Sequence, residues 1–192
     1  MAELLIRVLG PVEAEAPGHP STSPAPSVRA LLARLAVTPG RVVPVDALTD
    51  ALWGEDLPGD AANALQIRVS KLRRALARAG AAGDVIVTRA PGYVLAVPAD
   101  AVDAHRFEHL VAAARAGDPA AYDEALRLWR GPALADVGDT DWARGERTRL
   151  EELRLAAVEE RLALLVDTGR HPEVIGELEG LIAAHPLREG LH

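Results

Sequence analysis

Apolar residues along this chain change their spacing from segment to segment, and the changes trace an order of strands and helices. Leu4 to Leu9 reads as a strand halted by Gly10-Pro11, and Val12 to Ala16 as a second short one. Residues 17–27 hold four prolines, three serines, a threonine and a glycine, the composition of a loop with room for short strands at its edges. From Ser27 the period turns helical: Val28, Leu31, Leu32 and Leu35 share a face, and Pro39-Gly40 ends it. Val42-Val43 is a very short extended piece. A second helix follows from Val45 to Trp53, with Leu48 and Leu52 inward and Asp46 in the first turn, where the helix dipole favours an acid. Gly54 stops it, Glu55 to Gly59 form an acidic loop, and Asp60 is positioned to cap the next helix.

That third helix carries a narrow apolar stripe, Leu65, Val69, Leu72 and Leu76, at spacings of four, three and four. Asn63, Ser70 and Arg74 lie almost opposite the stripe, and Gln66, Ile67, Lys71 and Arg73 also point away from it. An exposed isoleucine is odd on a plain solvent face but apt where a thymine methyl is touched. Val85 to Thr88, the turn Arg89-Ala90-Pro91-Gly92 and Tyr93 to Val97 then make a hairpin. Three helices followed by a hairpin is the order of a winged helix. In that arrangement the third helix enters the major groove, and Arg89 lies near the minor groove or the phosphate backbone.

From Asp103 onward the pattern is helical, with helices expected over about 103–116, 119–130, 141–168 and 171–184. Val158, Leu162, Gly169, Val174, Leu178 and Pro186 make a degenerate match to one tetratricopeptide (TPR) unit over roughly 155–188. One such unit cannot bury both faces and must pack on the helices before it or on further repeats.

Charge sharpens the picture. Ala61 to Val97 holds five arginines and one lysine against a single acid, Asp84, a net of +5 in a chain whose formal charge is -7. Such a block points to a nucleic-acid-binding surface. Residues 98–192 carry a net of -8, which disfavours DNA contact there and suggests modules with different partners. The absence of cysteine removes disulfides and thiolate metal sites. The N-terminus lacks the basic-then-apolar design of a signal peptide, and no run approaches the roughly eighteen apolar residues of a membrane span, so a soluble, cytoplasmic, nucleoid-associated protein is expected.

Catalysis has little support. His105 and His109 stand four apart on one helix, but no third ligand is evident, and the remaining histidines, His19, His171, His185 and His192, form no pattern. Asp139 and Asp141 are explained by capping near a helix start, and no glycine-rich phosphate loop occurs. Trp53, Trp129 and Trp142 read as packing anchors.

Ordered motifs extend these readings. They are LLIRVLGPVE at 4–13, VRALLARLAV at 28–37, RVVPVDALTDALWG at 41–54, NALQIRVSKLRRAL at 63–76, VTRAPGYVL at 87–95, VDAHRFEHLV at 102–111 and LRLWRGPALADV at 126–137. RLEELRLAAVEERLALLVDTGRH at 149–171 and ELEGLIAAHPLREGLH at 177–192 complete them. Together they resemble the Streptomyces antibiotic regulatory protein family of AfsR-like transcriptional activators, over nearly the whole chain.

The resemblance implies an OmpR-type winged helix over 1–98, opened by a small antiparallel sheet, and an all-helical, TPR-like bacterial transcriptional activator domain over 99–192, cut short at His192. It implies a sequence-specific activator of the kind that regulates antibiotic biosynthesis, binding direct repeats in double-stranded DNA as a side-by-side homodimer. The expected protein partner is RNA polymerase, including its sigma factor, touched by the acidic loop through Glu55, Asp56 and Asp60. No cofactor, metal or membrane is implied.

By the same resemblance, Asn63, Gln66, Ile67, Ser70, Lys71, Arg73 and Arg74 fall on the recognition helix, and Arg89, Gly92 and Tyr93 on the wing. Helical geometry favours Ser70 and Arg74 as base-edge contacts and Lys71, Arg73 and Arg78 as phosphate contacts. Pro44 departs from the family by leaving the second helix without a side-chain cap, and Ser27-Val28 replaces the usual lysine-glutamine before the first helix. The end at His192 implies either a fragment or a regulator with a curtailed activator domain. The competing reading is a protein-interaction scaffold whose winged helix binds no DNA specifically by itself.

Overall fold

The computed structural model describes residues 4–168 together with Val174, Gly176, Leu178 and Leu181. The chain opens with a two-stranded antiparallel sheet, β1 (Leu5–Arg7) against β2 (Glu13–Glu15), with Ile6 opposite Ala14. Three helices follow, α1 (Pro26–Ala36), α2 (Val45–Trp53) and α3 (Ala61–Arg78). A three-stranded sheet ordered β3-β5-β4, built from β3 (Val43–Pro44), β4 (Ile86–Arg89) and β5 (Gly92–Leu95), packs on them. After a single 3-10 turn at Ala99–Ala101, the described second half is helical: α4 (Asp103–Arg115), α5 (Ala120–Leu126) and α6 (Asp141–Asp167). A winged-helix-like half followed by an all-helical half is the architecture the apolar spacing predicts.

The stripes expected to be buried are buried, except that Leu52 of α2 is half-buried against the core. Leu31, Leu32 and Leu35 of α1, Leu48 of α2, Leu65, Leu72 and Leu76 of α3 and Ile86 and Leu95 of the hairpin are all essentially inaccessible to water. Pro26 occupies the first turn of α1, where its missing N–H costs nothing. Pro44 precedes α2 without a side-chain cap, as expected, and the freed Val45 N–H donates to the Pro91 carbonyl at 3.1 Å. That bond ties the start of α2 to the turn of the hairpin.

The strands are shorter than the apolar runs suggest, for a tertiary reason. The expected strand Leu4–Leu9 stops at Arg7 because the backbone of the next residues is used elsewhere. Val8 and Leu9 N–H both donate to the Asp103 carboxylate, at 2.7 and 3.1 Å, while the Val8 and Leu9 carbonyls accept from Leu134 and Arg130 N–H. The helix expected over 119–130 ends at Leu126, and the chain then turns so that Arg130 reaches Leu9. Within the expected loop, Thr22 forms an isolated antiparallel bridge to Ala14.

One continuous apolar core runs from Leu4 in β1 through α1, α3 and the hairpin to Phe107, Trp129 and Leu150 of the helical half. The helix expected over 171–184 falls largely outside the described residues, as does the second half of the TPR unit over 155–188. Of them, Val174 is buried against Leu162 and Leu165, with Leu178 and Leu181 packed alongside. Among the described residues, no helix is long and apolar enough to cross a membrane.

Candidate nucleic-acid interface

The outer face of α3 follows from its inner one. With Leu65, Val69, Leu72 and Leu76 committed to the core, Asn63, Gln66, Ile67, Ser70, Lys71, Arg74 and Arg78 stand exposed on one continuous surface. Asp60 caps the helix, its carboxylate accepting from Asn63 N–H at 2.9 Å. Ile67 is 48% exposed among these polar side chains, the arrangement its position in the sequence predicts.

The cations of this face lack the carboxylate partners that most other arginines have; outside α3 and the hairpin, only Arg34, Arg41 and Arg127 among the described residues also lack one. Among the described residues, Arg7, Arg29, Arg106, Arg115, Arg130, Arg144, Arg147, Arg149, Arg154 and Arg161 each lie within ion-pair distance of a carboxylate. Lys71, Arg74, Arg78 and Arg89 have no such partner. Lys71, Arg74 and Arg78 line a groove whose opposite wall is Ala25 and Val28 at the start of α1. No carboxylate lines that groove, and the first turn of α1 contains no acid. Three unpaired cations along one groove, with a fourth exposed on the hairpin, form an anion-seeking surface.

Two of the six cations in the block are bonded internally, and one of them is an expected site residue. Arg73 was expected among the phosphate contacts. Its guanidinium instead donates from Nε and Nη2 to the Ile86 carbonyl, at 2.9 and 2.8 Å, and from Nη2 to Thr88 Oγ1 at 3.0 Å. Arg68, absent from the expected contacts, stacks its guanidinium 4.1 Å from the ring centre of Trp53. Burial lowers the Arg68 pKa from its ordinary value, yet the group keeps its charge. Periodicity places Arg68 between the apolar stripe and the exposed face. The signal that could have found its role is the tryptophan at the end of the preceding helix.

In the hairpin, Arg89 is exposed at the end of β4, as expected. Gly92 and Tyr93 stand apart from the other wing candidates because both are buried. Gly92 pairs with Pro44 across β3–β5, and a Cβ added there would lie 1.9 Å from the Val43 carbonyl oxygen. Tyr93 pairs with Val43 and belongs to the core. These two residues build the wing from inside rather than furnish its outer face.

The acidic loop between α2 and α3 exposes Glu55 and Asp56, and its Leu57 is 57% exposed, the most accessible large apolar side chain described. His105 and His109 turn to different partners, Nε2 of His105 to the Val37 carbonyl and Nδ1 of His109 to Asp100. Asp139 and Asp141 pair with Arg144 rather than capping α6, whose start at Thr140 has no side-chain cap. Among the described residues, no group of three or more ligating side chains is placed to hold a metal.

Residues 21–95 match the family model described as transcriptional regulatory protein, C terminal, and residues 102–192 match that of the bacterial transcriptional activator domain. The chain is 39% identical to the regulatory protein AfsR of Streptomyces griseus, over 98% of this chain and 20% of AfsR. It is 38% identical to the regulatory protein DnrI of Streptomyces peucetius, over 97% of this chain and 74% of DnrI. A solved structure of Mycobacterium tuberculosis EmbR in complex with a low affinity phosphopeptide superposes with a TM-score of 0.89 at 37% identity, covering all of this chain and 53% of that one. The chain therefore spans a fifth of AfsR and about half of EmbR.

Proposed function

The chain belongs to the AfsR-like Streptomyces antibiotic regulatory protein family of DNA-binding transcriptional regulators, and from that premise we propose that it reads direct repeats near promoters through α3 and the β4–β5 wing. In this reading Ser70 and Arg74, with Asn63, Gln66 and Ile67 beside them, meet base edges in the major groove. Lys71, Arg78 and Arg89 hold phosphates, which orient the protein without carrying sequence information. Two protomers lie side by side, one on each repeat. The exposed loop with Glu55, Asp56 and Leu57 is offered to RNA polymerase, including its sigma factor, and Asp60 serves that loop by anchoring its junction with α3.

The observation that carries this reading is the contrast in cation pairing. Arginines elsewhere in the described chain are largely matched by carboxylates, whereas those on the outer face of α3 and at the wing tip are left open. A face needed only for solubility has no reason to avoid pairing in a chain with 28 acids.

The test is a contrast between two kinds of substitution. Lys71→Ala weakens binding to all duplexes alike and reduces the slope of log affinity against log salt by about 1. Arg74→Ala loses roughly 1–3 kcal/mol on the preferred duplex and relaxes its preference at one position. Variants that bind preferred and random duplexes like the unsubstituted chain would reject the assignment and favour a scaffold role.

A further inference from the structure

Arg73 occupies an unusual place for a cation on a recognition helix. The wing sheet is ordered β3-β5-β4, so β4 is an edge strand with one row of backbone groups facing away from the sheet. The Val85 carbonyl faces β5 and accepts from Ala96 N–H at 2.7 Å. By strand alternation the next carbonyl, that of Ile86, points outward, where no strand can satisfy it. Arg73 reaches it from α3 with both Nε and Nη2 and adds Thr88 Oγ1 as a third acceptor. Asp84 lies 4.0 Å from the same guanidinium. Thr88 immediately precedes Arg89, the exposed cation at the wing tip.

Three of the five N–H groups of this guanidinium are used within the chain, and their geometry gives it a task of its own. The planar fork fixes the distance and angle between the axis of α3 and β4 far more tightly than a single-point contact would. On the opposite flank, Arg68 stacked on Trp53 holds α3 against the end of α2. The helix is thus braced by Arg73 against β4 and by Arg68 against the end of α2.

We propose that Arg73 is a positioning residue for sequence reading: it sets the span between the base-facing residues of α3 and Arg89 of the wing without touching DNA. The inference rests on the DNA-binding reading above and deepens it. Discrimination between duplexes requires both contact sets to fall in register at once, whereas non-specific binding tolerates a loose wing.

The test uses the full chain, a preferred duplex and a scrambled control, with affinity measured across salt concentrations. Arg73→Gln is expected to lose about tenfold on the preferred duplex, with little change on the scrambled one and an unchanged salt slope. Thr88→Val, which removes one acceptor and leaves the Ile86 carbonyl bonds in place, should lose about threefold with the same signature. Arg73→Lys retains the charge without the fork and should recover only part of the loss.

Amide exchange on the free variants should quicken in β4 and stay unchanged in α1, showing an intact fold with a released wing. A salt slope lowered by about 1, with equal loss on both duplexes, would make Arg73 a phosphate contact and overturn the proposal. Unchanged affinity for both duplexes would overturn it as well. If the unsubstituted chain discriminated no duplex at all, the DNA reading itself would fail, and this role with it.

Discussion

Asp103 is the only charged side chain buried among the described residues, and it joins the two halves of the chain. Its carboxylate accepts from Val8 and Leu9 N–H, groups that no β-strand partner satisfies. Burial pushes its pKa up to about 6, against the opposing pull of those two N–H groups and of Arg130. A folded pKa above the unfolded one means that this group's contribution to stability is full below 3.8 and is lost as pH rises through about 6. Asp103→Asn cannot titrate, so the deficit of the variant relative to the unsubstituted chain should narrow as pH rises through that window. Urea midpoints of both proteins across the window check this. A deficit that widens would mean that the two N–H bonds outweigh burial and hold the carboxyl below its usual range.

The same scale shows where the candidate site was legible in the sequence. Helical spacing alone separates Leu65, Val69, Leu72 and Leu76 from Asn63, Ser70 and Arg74, and places Ile67 outside. Spacing gives an angle around the helix axis but not the neighbour met at that angle. Lys71 and Arg73 look alike as cations off the stripe, and only the edge of β4 beside Arg73 distinguishes them. Gly92 and Tyr93 lie in the motif of the wing, but burial is a property of the folded sheet and not of the motif.

Among the elements, the long periodic ones were the most legible. The expected bounds of α2 agree with the observed helix, those of α3, α4 and α6 differ from theirs by about a residue, and α1 ends at Ala36, short of the expected Pro39-Gly40 stop. Three-residue strands carry too few alternations to be bounded by pattern, and β1 ends where Val8 turns its N–H to Asp103, 95 positions away in the chain. The wing depends on a close approach that the sequence hints at only as one glycine in a turn. Any Cβ at position 92 would collide with the Val43 carbonyl and come within 2.8 Å of Pro44 Cα, atoms of backbone that cannot rotate aside. Gly92→Ala must therefore part β5 from β3 and pull the Pro91 carbonyl from the start of α2. A loss of about 3 kcal/mol in folding stability is expected, read by urea unfolding. A loss below about 1 kcal/mol would show that the sheet opens without cost to the helices.

At the scale of the molecule, the charge asymmetry between the halves suggests two modules, yet the described chain has one core running across both. The seam is extensively bonded. Val12 N–H donates to Asp136, Arg29 pairs with Asp136, Arg130 binds Glu13 and the Pro11 carbonyl, and Trp142 Nε1 donates to the Ala51 carbonyl of α2 at 2.8 Å. Ile6 also bridges in parallel to Val102. None of these long-range bonds has a sequence signature, which is why periodicity and composition separate the halves where the structure joins them.

A chain ending at residue 98 would leave Val8, Leu9 and Val12 N–H without acceptors and uncover the apolar side of β1. Its thermal midpoint should fall below that of the full chain, and amides of residues 5–15 should exchange rapidly. An equal midpoint with protected amides would contradict the shared core.

The central claim is that α3 and the wing of this joined molecule read a DNA sequence. The most direct measurement is selection of binding sites from random duplexes by the full 192-residue chain, followed by salt titration of the winner and a scrambled control. The account predicts enrichment of a direct repeat, affinity that falls steeply with salt on both duplexes, and a gap between them that persists across salt. No enrichment, with equal and weak binding to every duplex, would contradict it.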